Sequence, residues 1–562
     1  MKRLLARWLL SASFFFLIIP AWADRAVLKL SVVDRATGEP VAARAHVRDS
    51  QGNFVIPDDA IMFGGDCDMS DAGAGFTDLT AALNGFTQSL TNPYTATQQF
   101  YLDGKATLVV PPGPVEVVVF KGTEYQRGTL QLDISANAEL EREIQLDRWI
   151  NMPAQGWYSA DDHIHIQRPH PDLNAKIMQQ MRAEDVHVAN LLQMGKVLNF
   201  KIAPQYEFGR GGHYQEGHYI LAAGQENPRS HYLGHTITLG AAEPVFNADR
   251  YLIYREVWER TIDLGGINGF AHAMATSGGL SPYRGGALLL PHDLMHFLEV
   301  LQFNRGGYQV WYDVLNLGYR IAGTAGTDYP CADQTIPGHE RFYTKVEGDL
   351  TYAKWLDAVK GGRTFVTTGP ILEFKIDDSE IGDEVVLRKP GKVRIRGQVR
   401  FNPISDSFGD LELVQNGELI TQIPNVDGQD RMELDIELYV DRDSWFALRA
   451  VGSERSFSGF ASPFHFSQLG ATSHAHTSPI YVTIKNGPSI ADSAEAKAVA
   501  QSFLARLASL EDTLKESNIQ TLGPLLEVPD FDGVPTETLV KNREALLNEI
   551  AVARAHFAKR AR

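Results

Sequence analysis

Residues 159–166 read SADDHIHI, and two histidines one residue apart follow two aspartates. In a strand, successive side chains point to opposite faces, so His163 and His165 share a side. Two imidazoles on one face suit a metal ion. They suit a polar surface equally well, so other parts of the chain must decide. Four further stretches set ligand-type residues beside predicted strand ends: Gly224-Gln225-Glu226, Gly234-His235-Thr236, Ala271-His272-Ala273 and Gly326-Thr327-Asp328. Each alone is weak, because a single histidine at a strand end is most often structural. Together they form a pattern. Small neighbours, often Gly or Ala, leave room for imidazoles and an ion to crowd one end of a sheet.

The elements that must position these residues run from about 151 to 370. Short apolar strands, DVHVANLL, HTITLG, INGFAHA and YRIAGTAG, alternate with the helical stretches PDLNAKIMQQMRAED and YAKWLDAVKGG. That alternation predicts parallel strands, in a barrel or a doubly wound sheet. In α/β barrels the active site lies at one end of the strands. Twelve of the 17 histidines fall between His163 and His339, which places the chemistry here.

The flanks read differently. Residues 24–150 alternate as in VLKLSVVD and PVEVVVF, predicting a β-sandwich with an irregular Asp- and Gly-rich insertion at about 57–100. Residues 371–488 predict a second sandwich, with a hairpin turn at Asn416-Gly417. In the tail, 489–562, one apolar stripe (Val499, Phe503, Leu507, Leu510) and another (Leu546, Ile550, Phe557) predict a helical hairpin docked on the body, without chemistry of its own.

The first 23 residues have a positive start, an apolar centre and an A-x-A site at Ala21-Trp22-Ala23. This predicts a cleaved secretory signal peptide, its apolar run being shorter than a membrane span needs. The mature protein is then exported, periplasmic in a Gram-negative source, with no membrane segment. Loss of Lys2, Arg3 and Arg7 takes the formal net charge from −17 to −20, which argues against nucleic-acid or anionic-membrane partners. An oxidising compartment permits a Cys67–Cys331 bridge; two separate buried thiols are the other reading.

The combination DDHIH, GQE followed by GH, the FAHA histidine, LNLGYRIAGTAGTDYP and WLDAVKGGRTFVTTGP resembles the PHP-type metallohydrolase superfamily, in its carbaryl-hydrolase-like (CehA/McbA) branch. DRATGEPVAAR at 34–44 and AHTSPIYV at 475–482 are similar to flanking β-regions of long members, so the resemblance covers the mature chain up to the helical tail. It implies a distorted (β/α)7 barrel. It further implies that His163, His165, Glu226 and Asp328 hold one metal, and that Glu226 bridges to a second held by His235 and His272. Imidazoles and carboxylates suit zinc, manganese or iron. Two departures stand out. Relatives with three metals carry T-D-H and D-x-H where this chain has Leu192-Gln193-Met194 and Asp328-Tyr329-Pro330. Both third-metal histidines are absent, which favours one or two ions and weakens a phosphoesterase assignment by analogy.

Other residues are secondary candidates. Asp161 is a candidate acceptor for a ligand histidine's second N–H, or a turn residue. His170 is a candidate to reach the site from the following loop, or a surface residue. Arg363, after Gly361-Gly362, is a candidate to bind a substrate anion or to cap a helix. His292, Asp293 and His296 form H-D-x-x-H on a predicted helix, read as a solvated face. His187 is read as a packed polar residue. No G-x-S-x-G elbow, Walker loop or dinucleotide fingerprint is present, and no protein nucleophile is expected. The resulting expectation is a metal-dependent hydrolase that uses metal-activated water on an ester, carbamate, amide or phosphoester of a small molecule. Its rivals are a metal-stabilised binding protein for a glycan or surface partner, and a strict phosphoesterase. Substrate, metal identity and oligomeric state are left open.

Overall fold

The computed structural model describes residues 25–58, 60, 91–92, 97–196, 199–230, 232–275, 281–303, 305–331, 336–404, 408–452, 473–515 and 534–562. The expected signal peptide, most of the 57–100 insertion and Cys67 lie outside the described residues. The described residues are mostly β-sheet, with seven α-helices.

At the N-terminus the strand Ala26–Asp34 pairs antiparallel with Lys105–Val110 and parallel with Glu139–Leu146. A second sheet orders Phe100–Asp103, Ala42–Arg48, Gly113–Phe120 and Gly128–Ile134. The period-2 pattern buries Leu28, Leu30 and Val32 of one sheet with Val115, Val117 and Val119 of the other in a single core. A buried ion pair, Arg44 to Glu184 at 2.6 Å, ties this unit to the central one. Tyr101 donates to the same carboxylate at 3.0 Å.

In the central unit the strands Trp157–Ile164, Val188–Lys196 and Tyr219–Ser230 pair in parallel, as do Ile267–Phe270, Phe297–Gln302 and Ala322–Ala325. Gly234–Leu239 joins the two groups and runs antiparallel to both neighbours, so the sheet is mixed rather than wholly parallel. Ile164 forms a parallel bridge with Tyr329, and the His165 amide donates to the Tyr329 carbonyl at 2.6 Å. This contact brings residues 163–165 beside 326–329, more than 160 positions away. Helices Asn174–Ala183, Tyr254–Asp263, Tyr308–Asn316 and Tyr352–Lys360 turn their apolar stripes inward. The expected helix through 292–296 does not form. A 3-10 turn, Leu290–His292, ends at Asp293, whose φ of 56° is left-handed and stops propagation.

The C-terminal strands enclose a third core around Ile395, Leu413, Phe446 and Val482. Asn416 and Gly417, both at positive φ, make the expected hairpin turn between Gly409–Gln415 and Glu418–Ile423. This unit is not separated from the central sheet, since Thr364–Thr367 pairs with His474–Thr477 across the expected boundary. The tail helices Ala494–Thr513 and Thr536–Arg560 bury Phe503, Leu507, Leu510, Ile550 and Phe557 in the core that also holds the central helices. Among the described residues no helix is long and apolar enough to cross a membrane.

Candidate metal centre

Six ligand-type side chains arrive at one place from five strands or the residues just after them. His163 closes the strand Trp157–Ile164 and His165 follows it. Glu226 lies in Tyr219–Ser230, just before a register shift at Glu226/Arg229. His235 opens Gly234–Leu239, His272 follows Ile267–Phe270, and Asp328 follows Ala322–Ala325. His272 and Asp328 both have φ of 57°. A left-handed backbone costs a non-glycine residue on the order of 1 kcal/mol or more, and such positions concentrate at functional sites. Five of the six residues are buried; the Asp328 side chain alone retains appreciable exposure, 19%.

The geometry divides around Glu226. His163 Nε2 and His165 Nε2 are 3.1 Å apart. Asp328 Oδ1 lies 3.5 and 3.1 Å from them, and Glu226 Oε2 lies 3.8 and 3.4 Å from them. Two nitrogens bound tetrahedrally at ordinary zinc distances stand about 3.3–3.4 Å apart, so these atoms are spaced as ligands of one ion. The other carboxylate oxygen, Glu226 Oε1, lies 2.7 Å from His235 Nδ1 and 3.6 Å from His272 Nε2. These buried His, Asp and Glu groups could hold a metal ion, and their donor chemistry fits one.

The surrounding residues set which nitrogen each ring offers. His163 Nδ1 donates to Glu299 Oε1 at 3.0 Å; the amide nitrogen of Gln302, at 3.3 Å, is the longer contact. His165 Nδ1 donates to the Leu192 carbonyl at 3.0 Å, and His272 Nδ1 to Gln302 Oε1 at 2.6 Å. Carbonyl and carboxylate oxygens only accept, so each ring keeps its proton on Nδ1 and turns Nε2 toward the cluster. Glu299 also accepts the His272 amide at 2.8 Å, linking both halves. Gly326 makes this packing possible, since a Cβ there would fall 2.4 Å from His163 Cβ, 2.5 Å from Glu299 Oε1 and 2.6 Å from Asp162 Oδ1.

The charges agree with a cation site. Burial would raise the Glu226 carboxyl, but the Arg229 guanidinium and His235 beside it hold it well below the usual range. Burial would lower His163, but the Glu299 and Asp328 carboxylates drive it well above its ordinary value. His165 is raised in the same way, by Asp328 and Glu226 against burial. Rings that take up protons so readily are rings whose surroundings call for positive charge. Asp162, fully buried, is driven well above the carboxylate range by burial and then by the neighbouring charge of Glu299.

The secondary candidates fall elsewhere. Among the described residues Asp161 takes no imidazole N–H. Its carboxylate accepts the backbone amides of His163, Thr327 and Gly338 and the Thr327 hydroxyl, at 2.6–3.2 Å. It therefore clamps the backbones that carry His163 and Asp328, and burial pushes it up to about 6. His170 is half-exposed and caps the 3-10 turn Pro171–Leu173, accepting from the Asp172 amide at 3.3 Å. Arg363 is half-buried and pairs with Glu347 at 3.3 Å. His292 faces Glu549 of the tail at 3.3 Å, and His296 Nδ1 accepts the Asn268 amide at 3.1 Å, so neither joins the cluster. His187 is packed against Tyr219 with Nδ1 at 2.9 Å from Ser159 Oγ. Cys331 Sγ lies within 4.8 Å of the His165 and Asp328 ligand atoms but is disulfide-bonded, so it brings no thiolate.

Three residues of the centre were not singled out from the sequence. Glu299 and Gln302 lie in FLEVLQ, a strand buried at every position, where an acid inside an apolar run was the available signal. Arg229, in Asn227-Pro228-Arg229, resembles loop chemistry and carries no periodic signal. No known family model matches the chain, and no curated protein matches it.

Proposed function

We propose that this protein is an exported metal-dependent hydrolase of small molecules, related to the PHP-type, carbaryl-hydrolase-like proteins and built on a distorted (β/α)7 barrel. The observation that carries the reading is the division of Glu226, with Oε2 toward His163, His165 and Asp328 and Oε1 toward His235 and His272. In this reading the six residues hold one or two ions of zinc, manganese or iron. A divalent ion so held lowers the pKa of coordinated water towards about 7 and polarises the bond under attack. The chain supplies the rest. Glu299, the Leu192 carbonyl and Gln302 fix three imidazoles, and Asp328, the most exposed ligand, marks the side from which substrate arrives. The bond broken belongs to an ester, carbamate, amide or phosphoester.

A panel of chromogenic carboxyl esters and phosphoesters, assayed with and without chelator, tests this. Turnover that chelation abolishes and metal restores is the expected result. The burial of five of the six residues favours a second reading, a metal-stabilised binding protein, because structural metal sites are closed. Stoichiometric metal with no turnover on any substrate supports that alternative.

A further inference from the structure

Asp328 and Cys331 stand three residues apart in Asp328-Tyr329-Pro330-Cys331. That segment is fastened to the strand that carries His163. Ile164 bridges to Tyr329, and the Tyr329 carbonyl accepts the His165 amide at 2.6 Å. The fastening sets the Cys331 sulfur at the edge of the cluster, where Sγ, a ring nitrogen of His165 and a carboxylate oxygen of Asp328 all lie within 4.8 Å of one another. The His165 ring independently calls for a cation at this place. It is buried, and its Nδ1 proton is committed to the Leu192 carbonyl. Its Nε2 lone pair meets His163 Nε2 and Asp328 Oδ1, both at 3.1 Å, and Glu226 Oε2 at 3.4 Å, all of them acceptors. An ion held by His165 and Asp328 therefore sits within reach of residue 331.

Cys331 is disulfide-bonded, and Cys67 is the one other cysteine of the chain. A disulfide sulfur is uncharged, whereas the thiolate is the form that binds metals, zinc above all at about 2.3 Å. Cys331 is half-buried rather than sealed in the core. The state of one bond thus decides whether the centre offers nitrogen and oxygen alone or sulfur as well. Carboxylate and imidazole donors accept manganese; a thiolate among them favours zinc.

We propose that Cys331 is a redox-gated ligand of the metal centre, withheld while it is disulfide-bonded and joined to His165 and Asp328 on the ion once a dithiol has reduced the bond, so that reduction turns the centre from manganese toward zinc. This rests on the metal-dependent reading above and adds a regulation of the same site. The dithiol gives two electrons and two protons to the bond, leaves as its own disulfide, and yields two cysteine thiols. The Cys331 thiol then releases its proton to solvent as sulfur binds the ion.

The test uses the full chain and cobalt(II), whose bond to a thiolate gives a charge-transfer band in the near ultraviolet. Four samples are titrated under argon: oxidised wild type, wild type reduced with a dithiol that is then removed by gel filtration, Cys67→Ser, and Cys331→Ser. Cys67→Ser leaves Cys331 as a thiol without any reductant. The band should appear in reduced wild type and in Cys67→Ser, and be missing from oxidised wild type and from Cys331→Ser. Competition between zinc and manganese should shift toward zinc when wild type is reduced, and stay where it is when Cys331→Ser is treated in the same way. Absence of the band from both thiol forms, with visible d–d absorption showing cobalt bound, overturns the proposal. So does a band in Cys331→Ser, or a zinc-to-manganese ratio that reduction leaves unaltered. If one thiol form loses its native far-UV circular dichroism, the other decides; loss in both also overturns the proposal, because the bond then serves the fold alone. Cobalt bound in none of the four samples overturns the underlying metal reading instead.

Discussion

His163 Nε2 and His165 Nε2 face each other at 3.1 Å although both rings have placed their Nδ1 protons elsewhere, on Glu299 and on the Leu192 carbonyl. Two neutral imidazoles so arranged turn lone pair to lone pair. The arrangement is stable only with positive charge between them, a proton or a metal ion. Carboxylates already surround the rings and raise both above the ordinary histidine range. The folded chain therefore maintains a buried cluster of acceptors, and the nature of the cation that satisfies it is the central issue.

Glu299 holds this arrangement from behind. Replacing it with alanine leaves a buried Nδ1–H without its acceptor and frees the His163 ring to rotate. Outer partners of metal ligands of this kind contribute about 10–100-fold to affinity. Competition against a zinc-chelating dye should show a loss of that order in Glu299→Ala and a smaller one in Glu299→Gln. Wild-type affinity in the alanine variant would show that Glu299 does not position the ligand.

Much of the framework was legible because its signals are local. Alternation marked the strands, Gly361-Gly362 marked the end of the helix Tyr352–Lys360, and Asn416-Gly417 marked a turn. The shared side of His163 and His165 follows from period 2. What was not legible depends on contacts between distant residues. Asp161 meets amides 166 and 177 positions away, and Glu299 meets His163 136 positions away. Periodicity carries no information about such pairs. His170 shows a third case, where a local rule was present and passed over: a polar residue before Pro171 is a helix-cap signal.

Acid should destabilise the fold through histidines that are buried neutral and lie away from the cluster. Burial, chiefly, lowers His187 to about 4 and His476 to about 3. Because these folded values lie below the unfolded value of 6.5, the unfolded chain binds protons first as pH falls. Stability is complete above 6.5 and is lost from there down to about 4 for His187 and about 3 for His476. At about 1.4 kcal/mol per unit, His187 alone accounts for roughly 2 kcal/mol between pH 7 and 5. Denaturant unfolding at both pH values should show a difference that shrinks by about that amount in His187→Gln; an unaltered difference would contradict the assignment.

The tail is expected to act as part of the core. Phe503 is 1% exposed and stacks on Phe557 at 4.9 Å, with Tyr283 of a central helix at 5.8 Å. Phe503→Ala should cost about 3–5 kcal/mol and lower the melting temperature of the whole chain in one transition. A separate early transition, leaving the main one in place, would show that the hairpin folds apart from the body.

Histidines outside the cluster provide a control. His296→Ala should leave bound metal per chain unchanged, since His296 Nδ1 serves the Asn268 amide. By contrast, His163→Ala and Glu226→Ala should lower bound metal and abolish turnover while far-UV circular dichroism stays native. Metal loss in His296→Ala, or full metallation in His163→Ala, would reverse the ligand assignment.

Anomalous scattering from crystals of the full chain, purified without added metal and measured across the zinc, iron and manganese edges, tests the central claim most directly. The expected result is a peak about 2.0–2.3 Å from His163 Nε2, His165 Nε2 and oxygens of Glu226 and Asp328, with or without a second between Glu226, His235 and His272. Crystals that show no peak there, even after soaking in zinc or manganese, would mean that protons alone occupy the gap between the two rings.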